Sequence, residues 1–513
     1  MKHSSSAANI RPKEIEPLLR RWGLQSGMQS RAQEFTGLAY DSRSLAKGDI
    51  FFCIQGEKFD GNDYVRQAAE QGAALIISEK QKPNTFFHPY VQVPDIRLAM
   101  ADAASYYYEE PSKKLRILAV TGTNGKTSTT HLIEHIFNGA GKKAGLVGTM
   151  GARWPRADAG KAYVDMHHTT PQCIDLQSVL ASMAEDRVTH VAMEVSSHAL
   201  ALKRVELCHF ASACLTNVTQ DHLDFHKTMD NYWKSKRLLF TALTQSCHSN
   251  RSAIINIDDG YAREFINAVD PSTRVYTYGF SKDADYRVLD ATYSQSGTRI
   301  ILKTPSGSLN LKTPLVGHFN VYNVLAALVV CLAEGMPPSA CLDGIETFTG
   351  VDGRFQVVSA GGGNKEPLCI VDYAHSPDGL ENVLKVARGL VPANGRLIVV
   401  FGCGGDRDRS KRPQMGSIAE VHADRVFVTS DNPRSEDPKM IIADILAGIT
   451  RIKDVVVEQD REKAIHAAIA EAGSNDVVVV AGKGHETYQL VKDEVLDFDD
   501  RIKVREALEA RLK

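Results

Sequence analysis

The sequence predicts an α/β protein of three domains. Three observations point there. A chain of 513 residues is too long for one hydrophobic core, and typical domain size gives roughly three. From residue 115 onward, short apolar runs alternate with helical patterns, as a parallel sheet with helical cover requires. After "TFTGVDGRF", near residue 348, the alternation restarts. The expected boundaries are 1–112, 113–347 and 348–513.

The elements follow in order. "DIFFCIQG" reads as a strand and turn, "YVRQAAEQGAALIISE" as helix, Gly stop and strand, and "MADAASYYYEEPSKK" as a helix closed by Pro111. "LRILAVTGTNGKTSTTHLIEHIFNGAGKKAGLVG" is a βαβ unit: a buried strand, a Gly-rich turn, a helix and a second strand. "VTHVAMEVSSHAL" and "HFASACLTNVTQDH" continue it, and the helix "GHFNVYNVLAALVVCLAEG" closes it. In the last third, "PLCIVDYAHSP", "GRLIVVFGCGG", "DRVFVTSDNP" and "NDVVVVAGKGHE" each run from a strand into a polar or Gly-rich loop. Open α/β sheets bind ligands at such strand C-termini.

Bulk properties exclude several classes. The net charge of −2 offers no basic field for nucleic acid. Nine cysteines without a CxxC pair fit neither a disulfide framework nor a structural zinc site, and they suit a reducing cytoplasm. There is no apolar run of signal-peptide or membrane-spanning character. A cytoplasmic protein with no membrane insertion is expected.

"AVTGTNGKTS" carries Gly122, Thr123, Asn124, Gly125, Lys126, Thr127 and Ser128 between strand and helix. Glycines let backbone amides approach phosphate, and the helix N-terminus adds positive potential. Lys126 can bridge β and γ phosphates, and Thr127 can face Mg²⁺. Val120 stands where the general phosphate-loop pattern has its first glycine. No Asn-Lys-x-Asp motif favours GTP, so ATP is expected. The alternative is an ordinary strand-to-helix turn.

Other residues have two readings each. Glu194 and His222 follow apolar strands, and at adjacent strand ends they could hold a metal; His222 could equally be a capping histidine. Lys236, in the helical pattern "NYWKSKRLLF", reads by itself as part of a solvated basic face. Asn320 and Asn323, one turn apart, could cap their helix. "SDNPRSEDP" (430–438) reads by itself as a charged turn in which Arg434 pairs with Glu436 or Asp437.

The short phosphate loop, with "MEVSSHAL", "TNVTQDHLDFH", "YWKSKRLLF", "GHFNVYNVLAAL", "DYAHSPDGL", "FGCGGDRDRSKRP", "DNPRSEDP" and "AGKGHETYQ", resembles the Mur ligase family. Within that family the chain looks like the ligases that add the third amino acid of the peptidoglycan stem. The resemblance implies a central P-loop parallel-sheet ATPase domain, an N-terminal domain for a UDP-linked substrate and a C-terminal Rossmann-like domain for the amino acid. It implies an acyl phosphate formed from ATP on the D-Glu carboxylate of UDP-MurNAc-L-Ala-D-Glu, which the incoming amine then attacks.

Residue by residue, the resemblance implies Lys126, Glu194, His222, Lys236, Arg354 and Asp372 as catalytic groups, with Mg²⁺ held near Thr127, Glu194 and His222. Lys236 is implied to carry a CO₂-derived carbamate, and Lys234 and Arg237 are candidates for lowering its pKa. Asn320 and His375 are implied near ATP. The UDP-substrate set is Tyr40 and Ser42, Glu57, Lys58 and Phe59, Thr169 and Thr170, Ser196 and Arg204. Leu202 and His168 depart from the glutamine and asparagine that part of the family has at those positions. "DNPR", Asp431, Asn432, Pro433 and Arg434, matches the meso-diaminopimelate type, with Pro433 stiffening the loop and Arg407, Gly482 and Glu486 as partners. Arginine suits this substrate because it can hold the second carboxylate bidentately. A monomer is expected. Inside the family, the alternatives are the lysine-adding type and a folylpolyglutamate-type ligase. Outside it, the alternatives are a P-loop ATPase switch and a degenerate, non-catalytic binder.

Overall fold

The computed structural model describes residues 11–24, 34–56, 59–158, 160–166, 168–294, 297–492 and 494–512. Glu57 and Lys58 lie outside the described residues. The chain divides into two compact units. One holds residues 1–289, 302–309 and 322–344; the other holds 290–301, 310–321 and 345–513. Among the described residues, no helix is long and apolar enough to cross a membrane.

The first unit includes a four-stranded parallel sheet in chain order: β1 (Gly37–Ala39), β2 (Asp49–Phe52), β3 (Leu75–Ser78) and β4 (Tyr90–Gln92). Helix α1 (Ile96–Tyr107) starts where the Asp95 carboxylate accepts the Leu98 amide, 2.9 Å away. It ends short of Pro111, where Glu109 and Glu110 turn to positive φ (60° and 50°). The residue before a proline is pushed out of the helical region, so the helix cannot run up to the ring.

A larger, eleven-stranded sheet follows, which includes β5 (Arg116–Thr121), β6 (Ala144–Gly148), β7 (Gly151–Pro155), β8 (Lys161–Val164), β9 (His190–Glu194), β10 (Phe210–Leu215), β11 (Ser252–Asn256) and β12 (Arg274–Gly279). Their order is β8-β7-β6-β9-β5-β10-β11-β12. β6, β9, β5, β10, β11 and β12 are parallel, so their C-terminal loops emerge at one edge. Glu194 and His222 were expected at adjacent strand ends. Instead β5 lies between β9 and β10, so the loop at 122–125 leaves the sheet between the two residues' strands.

The second unit contains a six-stranded sheet: β13 (Gln356–Val358), β14 (Leu368–Asp372), β15 (Leu397–Phe401), β16 (Arg425–Val428), β17 (Val455–Val457) and β18 (Val477–Ala481), in the order β13-β14-β18-β15-β16-β17. All but β13 run parallel. The run of valines at 477–480 shows why. Val477 and Val479 enter one apolar core, Val478 and Val480 the other. Two-sided burial demands an unbroken apolar strand rather than an alternating one. Each fully buried valine stabilises the sheet by roughly 1.5–3 kcal/mol relative to exposure.

Candidate active site

In the first unit, β5 turns at Gly122 into helix α2 (Lys126–Gly139). Gly122 and Gly125 have φ of +153° and +84°, and a Cβ on Gly122 would fall 1.8 Å from Thr216 Oγ1. Only glycine makes this turn without strain. Across the loop, Asn217 Oδ1 accepts the Asn124 amide at 2.9 Å, and Thr216 Oγ1 donates to Asn124 O at 2.6 Å. Lys126 Nζ donates to the carbonyls of Gly122 and Thr123, both at 2.8 Å. The loop with Lys126 at a helix N-terminus has the donors that phosphate needs. Val120, where a longer loop would begin, is fully buried in β5.

Glu194 ends β9 with no exposed surface. Its Oε2 accepts the hydroxyls of Thr127 and Thr149, each at 3.1 Å, and its Oε1 accepts the Thr149 amide at 3.0 Å. A carboxylate beside a phosphate-loop threonine hydroxyl is an all-oxygen donor set that fits a hard cation such as Mg²⁺. Thr149 was not anticipated; its one signal in the sequence is its place just after Gly148, at a strand end.

His222 is exposed and sits at positive φ (53°), beside Asp221. Its ring meets that of His198 edge-on, 4.7 Å between centroids. Burial, then the neighbouring His222 and His226 rings, pushes His198 down to about 4.

Lys236, on helix α3 (Met229–Ala242), is only 1% exposed, which excludes the solvated-face reading. Its Nζ donates to Gly122 O at 2.8 Å and stands 4.5 Å from the centroid of the Tyr232 ring. The Tyr232 hydroxyl lies 3.0 Å from Thr123 Oγ1. Burial, then the charge of Lys126, lowers the Lys236 amine well below the usual lysine range. Lys234 and Arg237, the neighbours suggested by the sequence, are not among the causes: Lys234 pairs with Asp230, and Arg237 stacks over Trp233.

The residues expected at the UDP-linked substrate are spread through this unit. Thr170 Oγ1 donates to Glu194 O at 2.9 Å and accepts the Ser196 amide at 3.0 Å. Arg204 Nη1 donates to Thr170 O at 3.0 Å, while its Nε is buried without a partner. Thr169 Oγ1 is 3.1 Å from Thr149 Oγ1. The Tyr40 hydroxyl donates to Asp175 at 2.6 Å, Ser42 is buried, and Phe59 is 70% exposed. Asn323 presses its Oδ1 against Gly125, where a Cβ would come within 2.3 Å.

In the second unit, parallel strands bring four loops to one edge. After β14 come Tyr373 to Ser376, after β18 Gly482 to Glu486, after β15 Gly402 to Ser410, and after β16 Thr429 to Asp437. Asp372 accepts the amides of Phe355 (2.6 Å) and Ala374 (2.8 Å); burial raises its pKa while the nearby charge of Arg354 opposes that. The Arg354 guanidinium stacks over Tyr373 at 4.7 Å. His375 O accepts Lys411 Nζ at 2.7 Å. Asn320, which lies in the first turn of the helix His318–Ala333, donates Nδ2 to Val316 O at 2.9 Å.

Arg434 does not pair with Glu436 or Asp437. Glu436 is held by the fully buried Arg412, 2.8 Å away, whose guanidinium keeps that carboxyl down at about 2. Arg434 has φ of +51°; its amide donates to Leu490 O at 3.0 Å, and its own carbonyl accepts the Lys492 amide at 2.7 Å. Its Nη1 donates to Gly405 O at 2.9 Å and Asn432 O at 3.4 Å. Pro433 is tightly packed: a Cβ on Gly405 would strike Pro433 O at 1.9 Å. Asp431 Oδ2 would lie 2.7 Å from a Cβ on Gly482, so glycine is needed there. Arg407 is exposed at the loop rim. Lys483, not anticipated, is fully buried among Asp431, Asn432 and Glu486.

Three family domains match in order: the Mur ligase family catalytic domain over residues 34–108, the Mur ligase middle domain over 120–331, and the Mur ligase glutamate ligase domain over 353–484. The UDP-N-acetylmuramoyl-L-alanyl-D-glutamate--2,6-diaminopimelate ligase of Syntrophomonas wolfei is 45% identical over 492 residues, 96% of this chain and 97% of that protein. The protein of the same name from Gloeobacter violaceus is 46% identical over 479 residues, 93% and 94% of the two chains. A solved structure of that name superposes with a TM-score of 0.69 at 34% identity, covering 98% of this chain and all of the other. A folylpolyglutamate synthase from Mycobacterium tuberculosis shares the fold alone, with a TM-score of 0.59 at 17% identity over 75% of this chain and 92% of that one. Identity of this size along nearly the whole length, with the three family domains matched in order, makes the chain a member of the Mur ligase family.

Proposed function

We propose that the protein is an ATP-dependent ligase that joins meso-2,6-diaminopimelate to UDP-N-acetylmuramoyl-L-alanyl-D-glutamate in peptidoglycan synthesis, in the cytoplasm. The observation that carries the choice of amino acid is the state of Arg434. Two backbone carbonyls hold its Nη1, and among the described residues no carboxylate pairs with it and no hydrogen-bond partner meets its Nε or Nη2. A substrate carboxylate completes that fork bidentately. L-Lysine lacks the second carboxylate and would leave the fork unpaired, which costs binding.

The free carboxylate of D-Glu takes the γ-phosphoryl group of ATP, giving an acyl phosphate and ADP. The amine of the amino acid then attacks the acyl carbon and phosphate leaves. Lys126 and the amides of the 122–127 turn hold phosphate oxygens and offset their charge. Thr127 and Glu194, with His222 as a further donor, would hold Mg²⁺, which when bound supplies charge neutralisation on the phosphates. Lys236, its amine shifted toward the neutral form by burial and by Lys126, would take up CO₂ as a carbamate, placing an anion beside that site. Arg354 and Asp372 are proposed for the phosphate side of the second unit's loops, with Asn320 and His375 toward ATP. Thr170, Ser196 and Arg204 suit the carboxylate-bearing UDP-linked substrate.

The test supplies ATP, Mg²⁺ and UDP-MurNAc-L-Ala-D-Glu, with meso-diaminopimelate or L-lysine in separate reactions, and follows ADP and the mass of the UDP-linked product. The expected result is tripeptide with diaminopimelate and little with lysine. Equal or preferential use of lysine refutes the specificity. ATP hydrolysis that needs neither substrate refutes the ligase.

A further inference from the structure

Lys483 lies in "AGKGHE", directly after β18, and has no exposed side-chain surface. Its Nζ donates to Asn432 Oδ1 at 3.0 Å and to Glu486 Oε2 at 3.2 Å, and stands 4.0 Å from Asp431 Oδ1. The Tyr488 ring covers it, 5.6 Å from centroid to Nζ. The ammonium therefore links residues of two separate loops.

Asn432 completes the brace. Its Oδ1 accepts both Lys483 Nζ and the Leu490 amide (2.9 Å), and its Nδ2 donates to the same Glu486 Oε2 at 2.9 Å. Both ends of this nearly fully buried amide are thus used inside the protein. Glu486 has Oε2 held by two donors, while its Oε1 has no hydrogen-bond partner among the described residues. Through the Asn432 main chain the brace runs on to Arg434, whose Nη1 donates to Asn432 O.

We propose that Lys483 is a positioning residue for amino-acid selection: it locks Asn432 to Glu486, so that the guanidinium of Arg434 and the open oxygen of Glu486 meet the substrate as one preformed unit. This rests on the reading that these loops receive diaminopimelate. The substrate's zwitterionic end offers a carboxylate to Arg434 and an ammonium to Glu486. Without Lys483, Glu486 loses one of the two donors on Oε2 and the loops lose their shared anchor. A buried ion pair is a poor source of net stability, since desolvation offsets its attraction. Its contribution here is geometric, because supporting hydrogen bonds hold a binding group in one orientation.

Lys483→Met keeps the apolar stem and removes the charge. The expected result is a KM for meso-diaminopimelate raised about tenfold or more, with the KM values for ATP and the UDP-linked dipeptide within about twofold. The preference for diaminopimelate over L-lysine, as a ratio of kcat/KM, should narrow by a similar factor. A diaminopimelate KM within about twofold of wild type, or a rise shared by all three substrates, overturns the proposal. Asn432→Leu removes the same brace from the other loop, is expected to give the same selective rise, and decides the question alone if Lys483→Met fails to fold. Wild-type protein that adds no diaminopimelate refutes the proposed function and this inference together. Wild-type protein that adds it, with both variants matching it, refutes only the role of Lys483.

Discussion

Lys126 and Lys236 reach the same atom: each Nζ lies 2.8 Å from the carbonyl oxygen of Gly122. Two ammonium ions sharing one carbonyl repel, and the buried member yields. Lys236 is that member, its amine driven far below the usual lysine range by burial and by Lys126. A neutral amine is the form that attacks CO₂.

That form suits the carbamate proposed for Lys236, which isotope labelling tests. Protein equilibrated with ¹³C-bicarbonate should show a carbamate carbon resonance by NMR, absent from Lys236→Ala. The ligase rate of that variant should fall by about a hundredfold or more, the scale for removing one charge-stabilising group. A variant of full activity, or a signal that survives in it, would reject the assignment.

Glu194→Gln should leave the fold intact, because Gln keeps an acceptor for Thr127 and Thr149. It removes the anionic charge that a divalent cation needs. The Mg²⁺ concentration for half-maximal activity should rise by about tenfold or more, and calorimetric binding of Mg²⁺ with ADP should weaken in parallel. An unchanged Mg²⁺ requirement would count against Glu194 as a ligand.

Arg434→Lys keeps the charge and loses the planar fork. With diaminopimelate, kcat/KM should fall by about tenfold or more, while the slow reaction with L-lysine changes little. Retained preference would place the carboxylate recognition elsewhere.

Acid should weaken the fold through His190, at the start of β9. Burial, then the charges of Arg116 and Lys142, holds its folded pKa down at about 4 from an ordinary 6.5. Between those values the unfolded chain binds the proton and the folded one does not. Stability must then fall as pH drops from about 6.5 toward about 4. His485, lowered to about 4 by burial and then by the charge of Arg354, acts in the same direction. The His190 ring packs on Phe137, 4.4 Å between centroids, so His190→Phe keeps an aromatic contact and removes the titrating group. That variant should lose less of its thermal midpoint between pH 7 and pH 5. An equal loss in wild type and variant would remove His190 from the account.

Much of the fold was legible because local chemistry dictated it. Consecutive valines at 477–480 suit a strand buried on both faces, and Gly122 and Gly125 before a lysine suit a tight turn into a helix. The turn "DNPR" was legible as stiff and charged. By contrast, the state of Lys236 was not. In sequence it sits in a polar helix, and only the packing of Tyr232 and the Gly122 carbonyl against it replaces solvent. The braces at Thr149 and Lys483 were nearly as hidden, because a threonine after a strand-end glycine and a lysine between glycines do not reveal which distant side chains they hold.

Elements, loop chemistry and family can be read along the chain, since each depends on residues close together in sequence. Which strand ends stand side by side, and which charges are buried, emerged only from the packing. The packing placed β5 between the strands of Glu194 and His222, took Glu436 away from Arg434 by pairing it with Arg412, and buried Lys483 beside the loop it braces. Strand order and desolvation arise from contacts between residues far apart in sequence, and no local pattern encodes them.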